Sequence, residues 1–326
     1  MTPLLLTLAL AAHIAPVFTS QLEERRAVAD DPVAISYGLT PASIASLPLP
    51  TTTITAASAA QTFIQNNWGH VTGKSEYISF VKDPFASSGS NVLRVSYPNG
   101  TYANSPYGDG GMGMYLDPFG TAVDGKVKRA LFTYEIALSK DFDFVQGGKF
   151  PGLFGGRVGE HCSGGLYNDK CFSLRVVWRK AGVAEVYAYI PGYSGFDTKT
   201  HIQPNTNGYG YSINRGSWKF ETGKWQKLSI LAIMNSAPSG SPSKPTKANG
   251  QISIYLDDRH VFTHTYFVLS TNATLDISSI FFSTFFGGST EPYASKGGYA
   301  YFREMKSYYG LEASNAAGSL VTAVYP

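Results

Sequence analysis

Lys149, Ser173, Arg175, Tyr187 and Tyr189 all fall in one part of the chain, which reads GGKFPGLFGG from 147, CFSLRVVWR from 171 and EVYAYIP from 185. A strand sends successive side chains to opposite faces. Phe172, Leu174 and Val176 therefore share one face, and Ser173, Arg175 and Val177 the other. In the second run Val186, Ala188 and Ile190 face one way, and Tyr187 and Tyr189 the other. A hairpin turn within 180–183, centred on Ala181 or Gly182, pairs residues whose numbers sum to an even value. Centred on Ala181, it sets Arg175 opposite Tyr187 and Ser173 opposite Tyr189, with side chains about 4.5–5.5 Å apart. The result is a polar patch of one guanidinium, one hydroxyl and two phenols backed by an apolar face. A guanidinium can clamp a planar carboxylate bidentately. Phenols and amines, with ordinary pKa values near 10, can exchange protons when neighbouring positive charge lowers them. These groups suit removal of a proton beside a carboxylate with loss of an oxygen one carbon further on, which needs a neutralising cation, a base and an acid. The plainer reading is that the tyrosines pack, that Arg over Tyr is a cation–π contact, and that Lys149 is a solvated charge on a glycine-flanked turn.

The elements that must position this patch read as strands. Apolar or alternating runs recur at 91–97, 130–138, 171–178, 185–190, 225–234, 251–256, 261–267, 277–286 and 298–305, separated by Gly, Asn, Asp and Pro clusters. Nine or more short strands with turns between them predict an all-β, single-domain β-sandwich of the jelly-roll kind. LSILAIMN, 228–235, fits a buried helix by periodicity alone, but its β-branched content and flanks favour a central strand. Tyr (21) and Phe (20) with only 15% charged residues suit a pleated surface. Residues 21–60 are rich in Ala, Ser, Thr and Pro and read as a leader or loosely packed arm, with a helical turn or two expected around 56–65. The jelly-roll domain is assigned to 61–326, with its compact part beginning near Trp68.

The first twenty residues carry no charged side chain, and the apolar run from Leu4 to Ala12 is too short to span a bilayer of about 30 Å. Residues 1–20 read as a secretory signal, which implies an extracellular protein without a membrane anchor. The dibasic Arg25-Arg26 is read equally as a processing site or as two surface arginines. Cys162 and Cys171 are the only cysteines, and in a secreted chain they are expected to form a disulfide. Asn99 and Asn272 head N-x-T sequons and are the expected glycosylation sites. A net charge of +3 is too small for a nucleic-acid footprint but leaves room for a basic groove holding an acidic ligand.

Several other motifs are discarded. Gly108, Gly110 and Gly113 match G-x-G-x-x-G, but MYLDPFG follows instead of a helix start, so a glycine loop leading into a strand is expected. His260 and His264 lack an evident third ligand, and His161 beside the cysteines completes no tetrahedral site, so no metal and no cofactor is expected. There is no G-x-S-x-G elbow and no clustered carboxylate pair on the strands, which disfavours serine-hydrolase and glycosidase chemistry.

The run GGKFPGLFGG, then CSGG, CFSLRVVWR and EVYAYIP, followed by YGYSINRGSWKFETGKW, IMN and the late FFSTFFGG, resembles polysaccharide lyase family 14, the jelly-roll alginate lyases. The resemblance covers roughly 68–309. It implies metal-independent β-elimination on a β-1,4-linked polyuronate such as alginate or glucuronan. It matches the family's catalytic lysine to Lys149, its Ser-x-Arg pair to Ser173 and Arg175, and its Tyr-x-Tyr pair to Tyr187 and Tyr189. Arg157, Arg215 and Thr284 are the expected substrate-binding residues. The implied partner is an acidic polysaccharide, met by a monomeric enzyme. Phe150 and Phe154 stand where the family pattern has Leu and Tyr, which bears on substrate preference more than on reaction type. The rival class is a non-catalytic carbohydrate-binding jelly roll, against which the retention of Lys, Arg and both Tyr speaks.

Overall fold

A computed structural model describes residues 29–86, 89–238 and 245–325. The proposed signal, residues 1–20, and Arg25-Arg26 lie outside the described residues. Two antiparallel sheets of eight strands each make the sandwich. The site sheet runs, edge to edge, Ile202–Pro204, Tyr211–Ile213, Ala184–Tyr189, Cys171–Arg179, Gly147–Gly156, Ile277–Phe286, Met112–Leu116 and His70–Lys74. The back sheet runs Arg259–Phe267, Gly250–Leu256, Trp225–Ile233, Arg129–Leu138, Tyr299–Gly310, Asn91–Ser96 and Ile78–Lys82, with Thr40–Ser46 also paired to Tyr299–Gly310. The fold is the expected all-β jelly roll. The alternating runs became strands because one side of each is apolar. Phe132, Tyr134 and Ile136 of the back sheet meet Leu174, Val176 and Val186 of the site sheet in one continuous core, where each large side chain contributes about 1.5–3 kcal/mol by leaving water. LSILAIMN lies in the central strand Trp225–Ile233, between Arg129–Leu138 and Gly250–Leu256.

Three features differ from the sequence reading. Lys149 sits on a strand, Gly147–Gly156, and not on a turn. The glycines hid this strand because they remove the alternation by which a strand is recognised. They are there for packing: a Cβ on Gly148 would lie 2.1 Å from the Trp178 ring, and one on Gly155 2.1 Å from the Phe172 ring. The inner face of this strand is thus filled by bulky side chains of its neighbour. A bulge between Phe150 and Leu153 keeps both of those residues inward and leaves Lys149 and Phe154 outward.

The second difference concerns the arm. Residues 29–60 are docked from 29 onward. Asp31 caps the short helix Pro32–Ser36 by accepting from the Val33 and Ala34 amides at 2.9 and 3.2 Å and pairs with Lys227 at 2.8 Å. Thr40–Ser46 then joins the back sheet. The third is the helix expected around 56–65, which runs Ala57–Asn67 and leads into the buried Trp68. Among the described residues no helix is long and apolar enough to cross a membrane.

Candidate active site

The hairpin between Cys171–Arg179 and Ala184–Tyr189 turns through Lys180–Gly182, with Ala181 in the left-handed region at φ 58°. That centre fixes the register. Arg175 pairs with Tyr187 and Ser173 with Tyr189, as alternation implied. On the other side, Lys149 pairs with Val177 of Cys171–Arg179 and with Phe285 of Ile277–Phe286. Four neighbouring strands therefore present Phe281, Phe285, Lys149, Phe154, Arg175, Glu185, Tyr187 and Tyr189 on the outer face of one sheet.

Arg175 is 3% exposed. Its guanidinium carbon lies 4.8 Å from the centroid of the Phe281 ring and 5.9 Å from that of Tyr189. Its Nε is buried without a hydrogen-bond partner, and among the described residues no carboxylate forms an ion pair with it. Burying a cation without a counter-ion is costly, so the guanidinium is poised for an anion. Lys149 is half-buried, with its ammonium 4.9 Å from the Phe285 centroid and 5.6 Å from that of Tyr187, again with no ion pair among the described residues. Burial, and then Arg175 and Arg179, bring its pKa down from 10.5 to about 7, against the opposing pull of Glu185.

The expectation that positive charge would lower the phenol pKa fails at Tyr187. Burial, and then the neighbouring Tyr189, push Tyr187 well above its ordinary value, and Arg179 and Arg175 offset only part of this. Tyr189 is 1% exposed, and its phenol oxygen accepts from the Gly165 amide at 3.0 Å. Gly165 lies in the loop closed by the expected Cys162–Cys171 disulfide, which the structure contains. Ser173 shares this face but does not open onto it: it is fully buried, and its hydroxyl donates to the Cys162 carbonyl at 2.6 Å. Its place is under the loop, as a support.

The expected substrate-binding residues divide. Arg215 reaches the site's edge, where it pairs with Glu185. Arg157 is exposed beyond the end of Gly147–Gly156, lining a separate cleft with Asp117, Asp124, Asp276 and Lys170. Thr284 is a correction: it faces the core, fully buried and hydrogen-bonded to the Tyr97 hydroxyl. FFSTFF is apolar on both sides, so parity alone could not assign its faces, and Phe281 and Phe285 are the residues that point to the site. Asn99 is exposed in a turn, and the half-buried Asn272 accepts from the Thr274 amide and hydroxyl of its own sequon, both at 2.9 Å. Sequence reasoning passed over Glu185, although its spacing of two from Tyr187 places it on the same face. The G-x-G-x-x-G loop leads into the strand Met112–Leu116, as expected. His264 stacks on His201 at 5.2 Å.

A family model, Polysaccharide lyase 14, matches residues 86–305. The crystal structure of the marine PL-14 alginate lyase from Aplysia kurodai is 29% identical and superposes with a TM-score of 0.67, covering 81% of this chain and 100% of that one. The alginate lyase of a Chlorella virus shares the fold at 18% identity and a TM-score of 0.57, covering 79% of this chain and 99% of its own. No curated protein matches the chain. The match spans well over half of the sequence, and the sandwich it covers is the one that carries Lys149, Arg175, Tyr187 and Tyr189, so the chain belongs to polysaccharide lyase family 14 and is a polysaccharide lyase.

Proposed function

We propose that the protein cleaves a β-1,4-linked polyuronate, alginate or glucuronan, by β-elimination. The observation that carries this reading is Arg175, a buried guanidinium with an unpartnered Nε beside two phenols and an amine of lowered pKa. Arg175 takes the C5 carboxylate bidentately, which withdraws charge from the C5–H bond. Lys149, with a pKa near 7, supplies a neutral amine at working pH and removes the C5 proton. Tyr187, held protonated by burial, donates its proton to O4. The C4–O4 bond breaks, a C4=C5 double bond forms, and the chain is cut into a reducing end and an unsaturated uronate. Tyr189 fixes Arg175 and Tyr187 from the third side, with its own oxygen held by the Gly165 amide.

Secretion is part of the same proposal. The uncharged apolar leader and the disulfide suit an oxidising, extracellular setting, where such polymers are met. Incubation with alginate, polyglucuronate and related polymers should produce the ultraviolet absorbance of the conjugated double bond. No rise on any polyuronate overturns the reading.

A further inference from the structure

Glu185 is fully buried on the face of the site sheet that carries the chemistry, two residues from Tyr187. Its Oε1 accepts from Arg179 Nε at 3.0 Å and Nη2 at 2.5 Å, and from the Ser212 hydroxyl at 2.9 Å. Its Oε2 accepts from Arg215 Nε, and Arg215 Nη2 reaches the Ser212 hydroxyl at 2.7 Å. One arginine would neutralise one carboxylate. Two leave a net positive charge, on side chains 26% and 37% exposed. In each guanidinium the Nη1 group makes no hydrogen bond among the described residues.

We propose that Arg179 and Arg215, braced on Glu185, form a second carboxylate-binding position for a uronate further along the polymer than the one held by Arg175. Glu185 is the positioning residue of this pair. The inference rests on the polyuronate reading above and deepens it. Arg175 and Arg179 are four residues apart on one strand, about 13 Å at a rise of roughly 3.3 Å per residue, with Lys149 between them opposite Val177. A 1,4-linked polyuronate carries one carboxylate per sugar. A chain crossing from Arg175 past Lys149 therefore brings a further carboxylate to Arg179 and Arg215, where planar donor forks suit it.

The test is steady-state kinetics on size-fractionated oligouronates with wild type, Arg215→Gln and Arg215→Lys. Arg215→Gln keeps a hydrogen-bond donor for Glu185 and leaves Arg179 as its counter-ion. It should raise KM about tenfold on long oligomers, leave kcat within about twofold, and change neither on the shortest oligomer that wild type cleaves. The gap should narrow at high salt. Arg215→Lys, which keeps charge but not the fork, should show a smaller, equally length-dependent KM rise, and it carries the test should Arg215→Gln fail to fold. An unchanged KM, or a KM rise equal at every length, overturns the second position while wild-type cleavage stands. A wild type that cleaves no polyuronate ends the reading on which the inference rests, which is a separate result.

Discussion

On the outer face of the back sheet, Arg303 bridges Asp83 and Glu135 at 2.5 and 2.6 Å, Lys227 bridges Asp31 and Asp258 at 2.8 and 2.7 Å, and Lys306 meets Asp30 at 2.6 Å. On the outer face of the site sheet, Arg175 is more deeply enclosed, and neither it nor the half-buried Lys149 has a carboxylate partner among the described residues. The same side-chain types thus serve two ends. On the back sheet these three cations are tied to anions that offset their desolvation, and the arm is fastened down through Asp30 and Asp31. On the site sheet the desolvation is left standing in the free protein, so that an incoming anion gains the interaction that the fold withheld. Stability and function are separable here, and mutation should separate them.

The largest contrast is expected between Arg175→Met and Arg303→Met. Arg175→Met should reduce kcat/KM by at least about 10³-fold, because it removes charge stabilisation at the reacting carboxylate, while leaving Tm unchanged or higher, since a buried unpaired charge is gone. Arg303→Met should leave kcat/KM at the wild-type value and destabilise the fold by about 3 kcal/mol, because the fully buried Asp83 carboxylate loses its ion partner. Thermal melts and initial rates on both variants read the two effects, and a Tm loss in Arg175→Met equal to that in Arg303→Met would erase the distinction.

Tyr187→Phe should lower kcat by about 10²–10⁴-fold with little change in Tm, the range expected for removing a general acid. Equal turnover in the variant would assign the proton at O4 to another group.

The third effect is on pH. Lys149 acts as a free amine, so kcat/KM should climb as pH rises through about 7 and fall away below it. Its folded pKa lies below the unfolded value, so the unfolded chain binds more protons between about 7 and 10.5, and the stability contributed at this site rises with pH across that window. Denaturant titrations of wild type against Lys149→Met should show that rise in the former and its loss in the latter. The smallest effect is expected from Glu185→Gln. Its carboxylate raises the Lys149 pKa, so the acid limb of the pH profile should move to lower pH, and a limb that moves upward would contradict the electrostatics of the row.

The hairpin carrying Arg175, Tyr187, Ser173 and Tyr189 was legible because strand alternation and turn parity are local rules, closed within about twenty residues. The strands at 130–138 and 277–286 were legible as apolar runs bounded by turn residues, although the faces of 277–286 were not. Lys149 was a candidate by residue type, but only the family resemblance joined it to the hairpin patch, since GGKFPGLFGG has too many glycines to alternate; its strand packs as it does because Trp178 and Phe172 fill the space that side chains at Gly148 and Gly155 would occupy.

What the sequence determined by itself was nine of the strands, the contents of one hairpin face and the pairing of the two cysteines. Tertiary structure decided the rest: that Thr284 turns inward to Tyr97, that Ser173 supports a loop, that residues 40–46 join a sheet, and that Glu185 answers Arg179 and Arg215 while Arg175 is left unanswered. Burial and charge pairing are properties of neighbours brought from distant strands. A pattern of period two fixes which side chains share a face, and only the packing of the sheets and loops fixes what that face meets.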